Sequence, residues 1–197
     1  MTDPYADLEH ASQERWLTRY YFARAAFSVV WVAAAFTAGQ HSSTIAAILF
    51  VIYPAWDAAA NYVDAWRSGG MARNRTQTIN FAVSLATTLA VFAALNMSMN
   101  AVLAVFGAWA ILTGLLQLGT AVRRWKSYGA QWAMILSGGQ SALAGVFFIV
   151  QSRMPTPPSI TNVAGYAAVG ALYFLISAAW LFVSRTRRKA GQPTRII

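Results

Sequence analysis

Three polar residues in one apolar stretch, Asp57, Asn61 and Asp64, are spaced i, i+4, i+7. A helix over that stretch puts all three on one face. An earlier apolar stretch carries Arg24, Ser28 and Trp31 at the same spacing. An unpaired charge near the centre of a bilayer costs about 2.5–3.5 kcal/mol on insertion scales, so such residues pair or face water. Two chemistries fit. The carboxylates could bind a proton or an ion. Alternatively, Arg24 could clamp the first two helices, meeting Asn61 and Asp64 directly or reaching Asp57. At 1.5 Å per residue, Asp57 lies roughly 13 Å in from Trp66 and Arg24 roughly 6 Å in from Tyr20. The cluster does not make a relay across a membrane, because the outer half of the spans offers nothing ionisable. A nearby arginine also disfavours an acid–base pair of carboxylates.

A second stripe, Thr113, Gln117 and Thr120, repeats the spacing without charge. Interhelical hydrogen bonds worth under about 1–2 kcal/mol each are the first expectation for it. A polar conduit between the second and fourth spans is the alternative. Farther on, Ser137, Ser141 and Gly145 share a face, and Gly138 precedes Ala142 by four. Small residues at that spacing let helix backbones approach closely, which points to packing. The close partner lies within the chain or in a second subunit of a homo-oligomer. The chain has no cysteine, which excludes disulfides and thiolate sites. Its two histidines, His10 and His41, lie outside the apolar stretches, so a His-based metal or acid–base site within them is excluded. No phosphate loop or nucleophile constellation occurs. The expectation is a protein that is not an enzyme, with no cofactor and no metal.

These residues are positioned by six apolar stretches. The chain is 57% hydrophobic and 11% charged, against about 25% charged for soluble domains. Helices are required, because lipid offers the backbone no hydrogen-bond partner. The fold class is therefore an all-α integral membrane protein with six transmembrane helices, arranged as three sequential helical hairpins at 20–66, 78–122 and 131–184. The spans are Tyr20–Ala38, Thr44–Trp66, Thr78–Leu95, Asn100–Val122, Gln131–Val150 and Thr161–Ser184, each near the roughly 20 residues a bilayer needs. A polar tail, 1–19, precedes them, as a short interfacial helix or a disordered segment. A basic tail, 185–197, follows. The Ala35–Ala38 stretch loosely resembles a signal-peptide cleavage site, but the long acidic tail before it argues against cleavage.

The net charge of +9 would suggest nucleic-acid binding in a soluble protein. Here every Lys and Arg except Arg24 and Arg153 falls in tails or loops on one side of the spans. That bias places both termini in the cytoplasm. The bilayer is then the expected partner and nucleic acid is not. Arg185 to Lys189 could hold anionic headgroups at about 1 kcal/mol per charge.

One segment has a family likeness. Phe106-Gly-Ala-Trp-Ala-Ile-Leu-Thr-Gly-Leu-Leu-Gln-Leu118 leads into Ala121-Val-Arg-Arg-Trp125. After a glycine-containing turn comes Gln131-Trp-Ala-Met-Ile-Leu-Ser-Gly138, with Gly145 seven residues on. This resembles the HdeD-type membrane proteins, built from a short repeated hairpin. In that pattern a Gly and a Gln-Leu precede a basic turn, and a Trp then leads into a helix with spaced glycines. The matching positions are Gly114, Gln117, Leu118, Arg123, Trp132, Gly138 and Gly145. The likeness implies a bacterial inner-membrane protein linked to acid resistance, and supplies no catalytic residues. The first hairpin departs from it by carrying Arg24, Asp57 and Asp64. A faint internal echo, Pro54-Ala55-Trp56 with Gly107-Ala108-Trp109 and Ala178-Ala179-Trp180, supports a repeat. The leading expectation is a non-enzymatic protein supporting acid or envelope-stress tolerance. One rival is a small transporter or proton or ion channel using the Arg24 and Asp57 cluster. Another is a membrane scaffold that binds another membrane protein through the Gly138 face.

Overall fold

The structure is a computed structural model, and it describes residues 4–124 and 131–190. The regular elements among the described residues are all helical: α1 (Pro4–Ala34), α2 (Ser43–Arg67), α3 (Arg75–Ala94), α4 (Met99–Arg124), α5 (Gln131–Gln151) and α6 (Ile160–Ala190). A π-helical turn, Ala35–Gly39, extends α1. The break expected between a tail and a first span at Arg19 does not occur, and α1 runs through it. The reason is local, since no proline or glycine interrupts the chain between Tyr5 and Ala38. Likewise α6 continues past Ser184 to Ala190.

Helix ends follow side-chain chemistry. Ser42 caps α2 by accepting from the Ile45 amide at 3.3 Å. Ser98 does the same for α4, accepting from Ala101 at 3.1 Å. α2 stops where Gly69 and Gly70 adopt φ of 98° and 94°, a left-handed conformation that other residues adopt only under strain. Pro157 and Pro158 precede α6, and the Asn162 side chain accepts from the Ser159 amide at 2.8 Å.

The chain divides into two compact units, residues 1–29 with 168–197, and residues 30–167. In the first, the Tyr21 ring stacks on Phe174 with centroids 6.2 Å apart. The second holds α2 to α5. There the most extensive helix pairing is α4 with α5, followed by α2 with α3, then α3 with α4. The two tightest pairs are thus joined by the basic connections, and neither is one of the hairpins expected from loop length. Short loops make neighbours, but the contact surface decides which neighbours pack closely.

For α4 and α5 that surface is glycine. A Cβ on Gly114 would lie 2.6 Å from the Gly138 carbonyl oxygen, and one on Gly145 would lie 2.5 Å from that of Gly107. Reciprocally, a Cβ on Gly107 would sit 2.8 Å from the Gly145 oxygen, and one on Gly138 would sit 2.9 Å from the Gly114 oxygen. The two pairs are seven residues apart on each helix and run antiparallel. Real Cβ atoms are not accommodated at such distances, so these backbones touch because side chains are missing. Ala142 and Ser141 complete the contact opposite Gly114. The partner of the Gly138 and Gly145 face is therefore α4 of the same chain, which removes that face as a docking surface for a second subunit or for another membrane protein. The four-residue step from Gly138 to Ala142 lies against Gly114, and the seven-residue step from Gly138 to Gly145 adds the contact with Gly107.

The core of the second unit is aromatic. Trp31, Phe50 and Phe106 are almost wholly buried. Trp109 meets Tyr53 and Phe106 edge to face at 5.8 and 5.7 Å, and Tyr53 lies 4.6 Å from Trp31. Large apolar side chains such as Leu89, Phe92, Leu143 and Phe147 point outward. Among the described residues, five helical stretches are long and apolar enough to cross a membrane: Arg15–Gly39, Ser43–Arg67, Arg75–Ala94, Met99–Gly119 and Ile160–Trp180. The apolar part of α5, Ile135–Gln151, is shorter.

Candidate functional site

Where α2 faces α3, the polar stripe read from the sequence finds its partners. Asp57, Asn61 and Asp64 are all buried, at 9%, 8% and 8% exposure. Asp57 Oδ2 accepts a 2.7 Å hydrogen bond from Ser84 Oγ on α3 and a 2.9 Å bond from Asn61 Nδ2. Asn61 Nδ2 also donates to the Asp57 carbonyl at 2.8 Å, which locks one turn of α2. Ser84 is fully buried, and its Oγ accepts from Trp109 Nε1 on α4 at 3.0 Å. A directed chain therefore crosses three helices, from the Trp109 indole to the Ser84 hydroxyl to the Asp57 carboxylate. Two turns away, Gln77 Nε2 approaches Asp64 Oδ2 at 3.4 Å. The contacts Asp57 to Ser84 and Asp64 to Gln77 share one antiparallel register.

Asp57 sits ten residues before the end of α2, which is about 15 Å along the helix axis. A carboxylate at that depth is kept by hydrogen bonds or paired charge. Ser84 and Asn61, both neutral donors, hold its Oδ2 in place. Asp57 thus offers a fixed acceptor able to hold a proton or a small cation. Among the described residues, no three His, Cys, Asp or Glu side chains are grouped to hold a metal ion.

The remaining sequence candidates fall in different places. Arg24 lies in the first unit, whereas Asp57, Asn61 and Asp64 lie in the second. Its guanidinium carbon is 4.4 Å from the Phe174 ring centroid and 5.6 Å from that of Tyr20. Its Nη1 donates to the Tyr20 hydroxyl at 2.9 Å. Cation–π contact and an amphipathic phenol are ways of holding a charge among apolar neighbours. In the second stripe, Thr113 turns back on its own helix, donating to the Trp109 carbonyl at 2.9 Å. That hydroxyl is spent within α4 and makes no bond to a neighbouring helix. Gln117 is half-buried, and the Thr120 side chain lies outside the described residues. On α5, Ser141 pairs with the Tyr166 hydroxyl of α6 at 2.9 Å, and Ser137 is half-buried.

Reading the sequence missed the α3 half of this seam. Gln77, Asn80, Ser84 and Thr87 follow at i, i+3, i+7, i+10, the same one-face signature that singled out α2. Asn80 Oδ1 is a buried acceptor without a hydrogen-bond donor among the described residues. Trp109 was read as part of a repeat echo, whereas its indole N–H is a buried donor into the site.

Comparison with known families adds one result. Residues 82–150 match the family model of a short repeat of unknown function (DUF308). Neither the curated proteins nor the solved structures yield a match. The matched segment contains most of α3, all of α4 and most of α5, hence the four facing glycines and the donors Ser84 and Trp109. It excludes the α2 stripe with Asp57, Asn61 and Asp64. Residues 82–150, about a third of the chain, are thus similar to this short repeat, the domain found in HdeD-like membrane proteins.

Proposed function

We propose that this chain is a six-span bacterial inner-membrane protein of the HdeD type, with both termini cytoplasmic. In this reading it acts without catalysis in tolerance of acid or envelope stress. α5 is the fifth of these six spans, since its 21 residues reach about 31 Å at 1.5 Å per residue. The observation that carries the reading is that the repeat's own donors, Ser84 and Trp109, end on a buried carboxylate supplied from outside the repeat. Asp57 joins α2 to α3 and, through Ser84, to α4, so a change at this carboxylate alters contacts among three helices. The experiment is survival in acid. Deleting the gene should lower survival, the native chain should restore it, and Asp57→Asn should fail to do so. Full restoration by Asp57→Asn would make the seam structural. No effect of deletion at any cell density would remove the stress role.

A second reading is favoured by one specific observation. Asn80 lies on the same α3 face as Gln77 and Ser84, and its carbonyl oxygen is buried without a donor. Such an acceptor, on the helix face that meets Asp57 and Asp64, suits a small cation in transit. Flux into proteoliposomes above that of empty vesicles would support a transporter or channel; flux equal to empty vesicles would leave the non-conducting reading.

A further inference from the structure

The turn between α2 and α3 carries Arg67, Arg73 and Arg75, all exposed. No acidic residue occurs in the chain after Asp64, which is itself buried. Among the described residues, neither the Arg73 nor the Arg75 guanidinium has a hydrogen-bonding or ion-pair partner. The turn that carries them is closed by the Asn74 and Thr78 side chains, which bond to its backbone carbonyls. Asn74 Nδ2 donates to the carbonyls of Ala65, Ser68 and Gly70 at 3.3, 2.8 and 2.9 Å. Thr78 Oγ1 donates to the Met71 and Asn74 carbonyls at 2.7 and 3.0 Å. Positions 73 and 75 are thus held without any use of their charged groups. A signal that only sets orientation needs positive charge, not a fixed turn.

The flanks of the turn are graded. The outward face of α2 carries Tyr62 and Trp66 just before Arg67, and Trp66 is 66% exposed. Ile79 is exposed one turn into α3. From mid-helix toward the turn, exposed side chains run from Ile52 and Leu85, through Tyr62 and Trp66, to Arg67, Arg73 and Arg75. A leaflet offers hydrocarbon, an interfacial zone where Trp and Tyr concentrate, and then phosphate.

We infer that the α2–α3 turn is a binding surface for anionic lipid headgroups, with Arg73 and Arg75 contacting the phosphate. This rests on the reading of the chain as membrane-spanning. A guanidinium offers a planar fork of N–H groups that matches a phosphate's oxygens. A turn already closed by hydrogen bonds loses little freedom on binding.

The test uses the full chain with Ser68→Cys as its single thiol, labelled with a fluorescent donor and placed in phosphatidylcholine nanodiscs. Each sample also holds a small fraction of acceptor-labelled phosphatidylglycerol or, separately, acceptor-labelled phosphatidylcholine. Energy transfer should show the anionic lipid enriched near the turn over the zwitterionic one. Arg73→Gln with Arg75→Gln should remove most of that excess, since each charge near the surface is worth about a fivefold change in binding. Arg73→Lys with Arg75→Lys should keep a large part of it. Millimolar inorganic phosphate should leave it unchanged, which separates a lipid site from a site for the free anion. Equal transfer from the two lipids would overturn the inference, as would an excess that survives the double Gln change or is displaced by phosphate. A chain that fails to enter the discs as a helical protein would instead overturn the membrane reading beneath it.

Discussion

Two antiparallel helix pairs, α4 with α5 and α2 with α3, solve the same problem by opposite means. Lipid tails are as apolar as leucine, so helices in a bilayer gain little from hydrophobic burial and must associate by packing or hydrogen bonds. The α4–α5 pair deletes side chains, so that glycine backbones meet at two points seven residues apart. The α2–α3 pair keeps polar side chains and satisfies them, with Asp57 held by Ser84 and Asn61. Among the described residues, the glycine contacts of the first seam include no titratable side chain. The second seam does, and its carboxylate comes from outside the DUF308 segment. The repeat therefore provides a close-packed frame plus two donors, and the neighbouring helix provides the group on which chemistry can act.

The largest expected effect is at the glycine seam. Gly114→Leu or Gly145→Leu cannot be placed without separating α4 from α5, and should leave little folded protein in detergent. The milder Gly138→Ala should cost about 1–3 kcal/mol, the range for overpacking a close contact. Gly119→Ala and Gly139→Ala, where an added Cβ meets nothing within 4 Å, should be neutral or gain up to about 1 kcal/mol of helix propensity. Melting temperatures in one detergent would rank all five. Equal losses at Gly138 and Gly139 would show that the seam is not where the structure places it.

A smaller effect is expected in the polar seam. Ser84→Ala strips a bond from Asp57 and another from Trp109, and should cost about 1–3 kcal/mol, the usual penalty for buried groups left unsatisfied. Trp109→Phe removes only the indole donor and should cost less. Together the two should cost less than their sum, with a coupling of about 0.5 kcal/mol or more for residues that share one hydrogen bond. Strict additivity would mean that the Trp109 to Ser84 bond is not formed. The chain's lack of cysteine also allows a test that perturbs stability least. Single thiols at Ser43 or Met97 should label from outside the cell, and one at Ser68 only after the inner face is opened. The reverse pattern would invert the proposed orientation, and with it which leaflet the α2–α3 turn meets.

Much of this contrast was legible in the residues. The i, i+4, i+7 spacing put Asp57, Asn61 and Asp64 on one face because helical periodicity alone decides that. Gly138 and Gly145 read as a packing face for the same reason. What was not legible was partnership. Whether Ser84 meets Asp57 depends on the register between α2 and α3, and no periodicity within one helix encodes the register between two. The Gly107 and Gly114 pair was equally visible, but nothing in α4 alone says that it faces α5. Trp109 is visible in the sequence only as part of a repeat echo, and nothing in α4 alone shows that its indole N–H meets Ser84 of α3. The run of α1 through Arg19 was missed because a change from polar to apolar composition was taken as a boundary, whereas the backbone only needs an unbroken series of helix-compatible residues.

The distinction between frame and site can be put to one measurement. Gly138→Ala and Asp57→Asn are expressed in the deletion strain at matched membrane abundance, and survival in acid is compared with that of the native chain. The account predicts that Gly138→Ala, although less stable when purified, restores survival once its abundance is matched, while Asp57→Asn does not. If Asp57→Asn restores survival fully and Gly138→Ala does not, the carboxylate is part of the frame and the central claim is wrong.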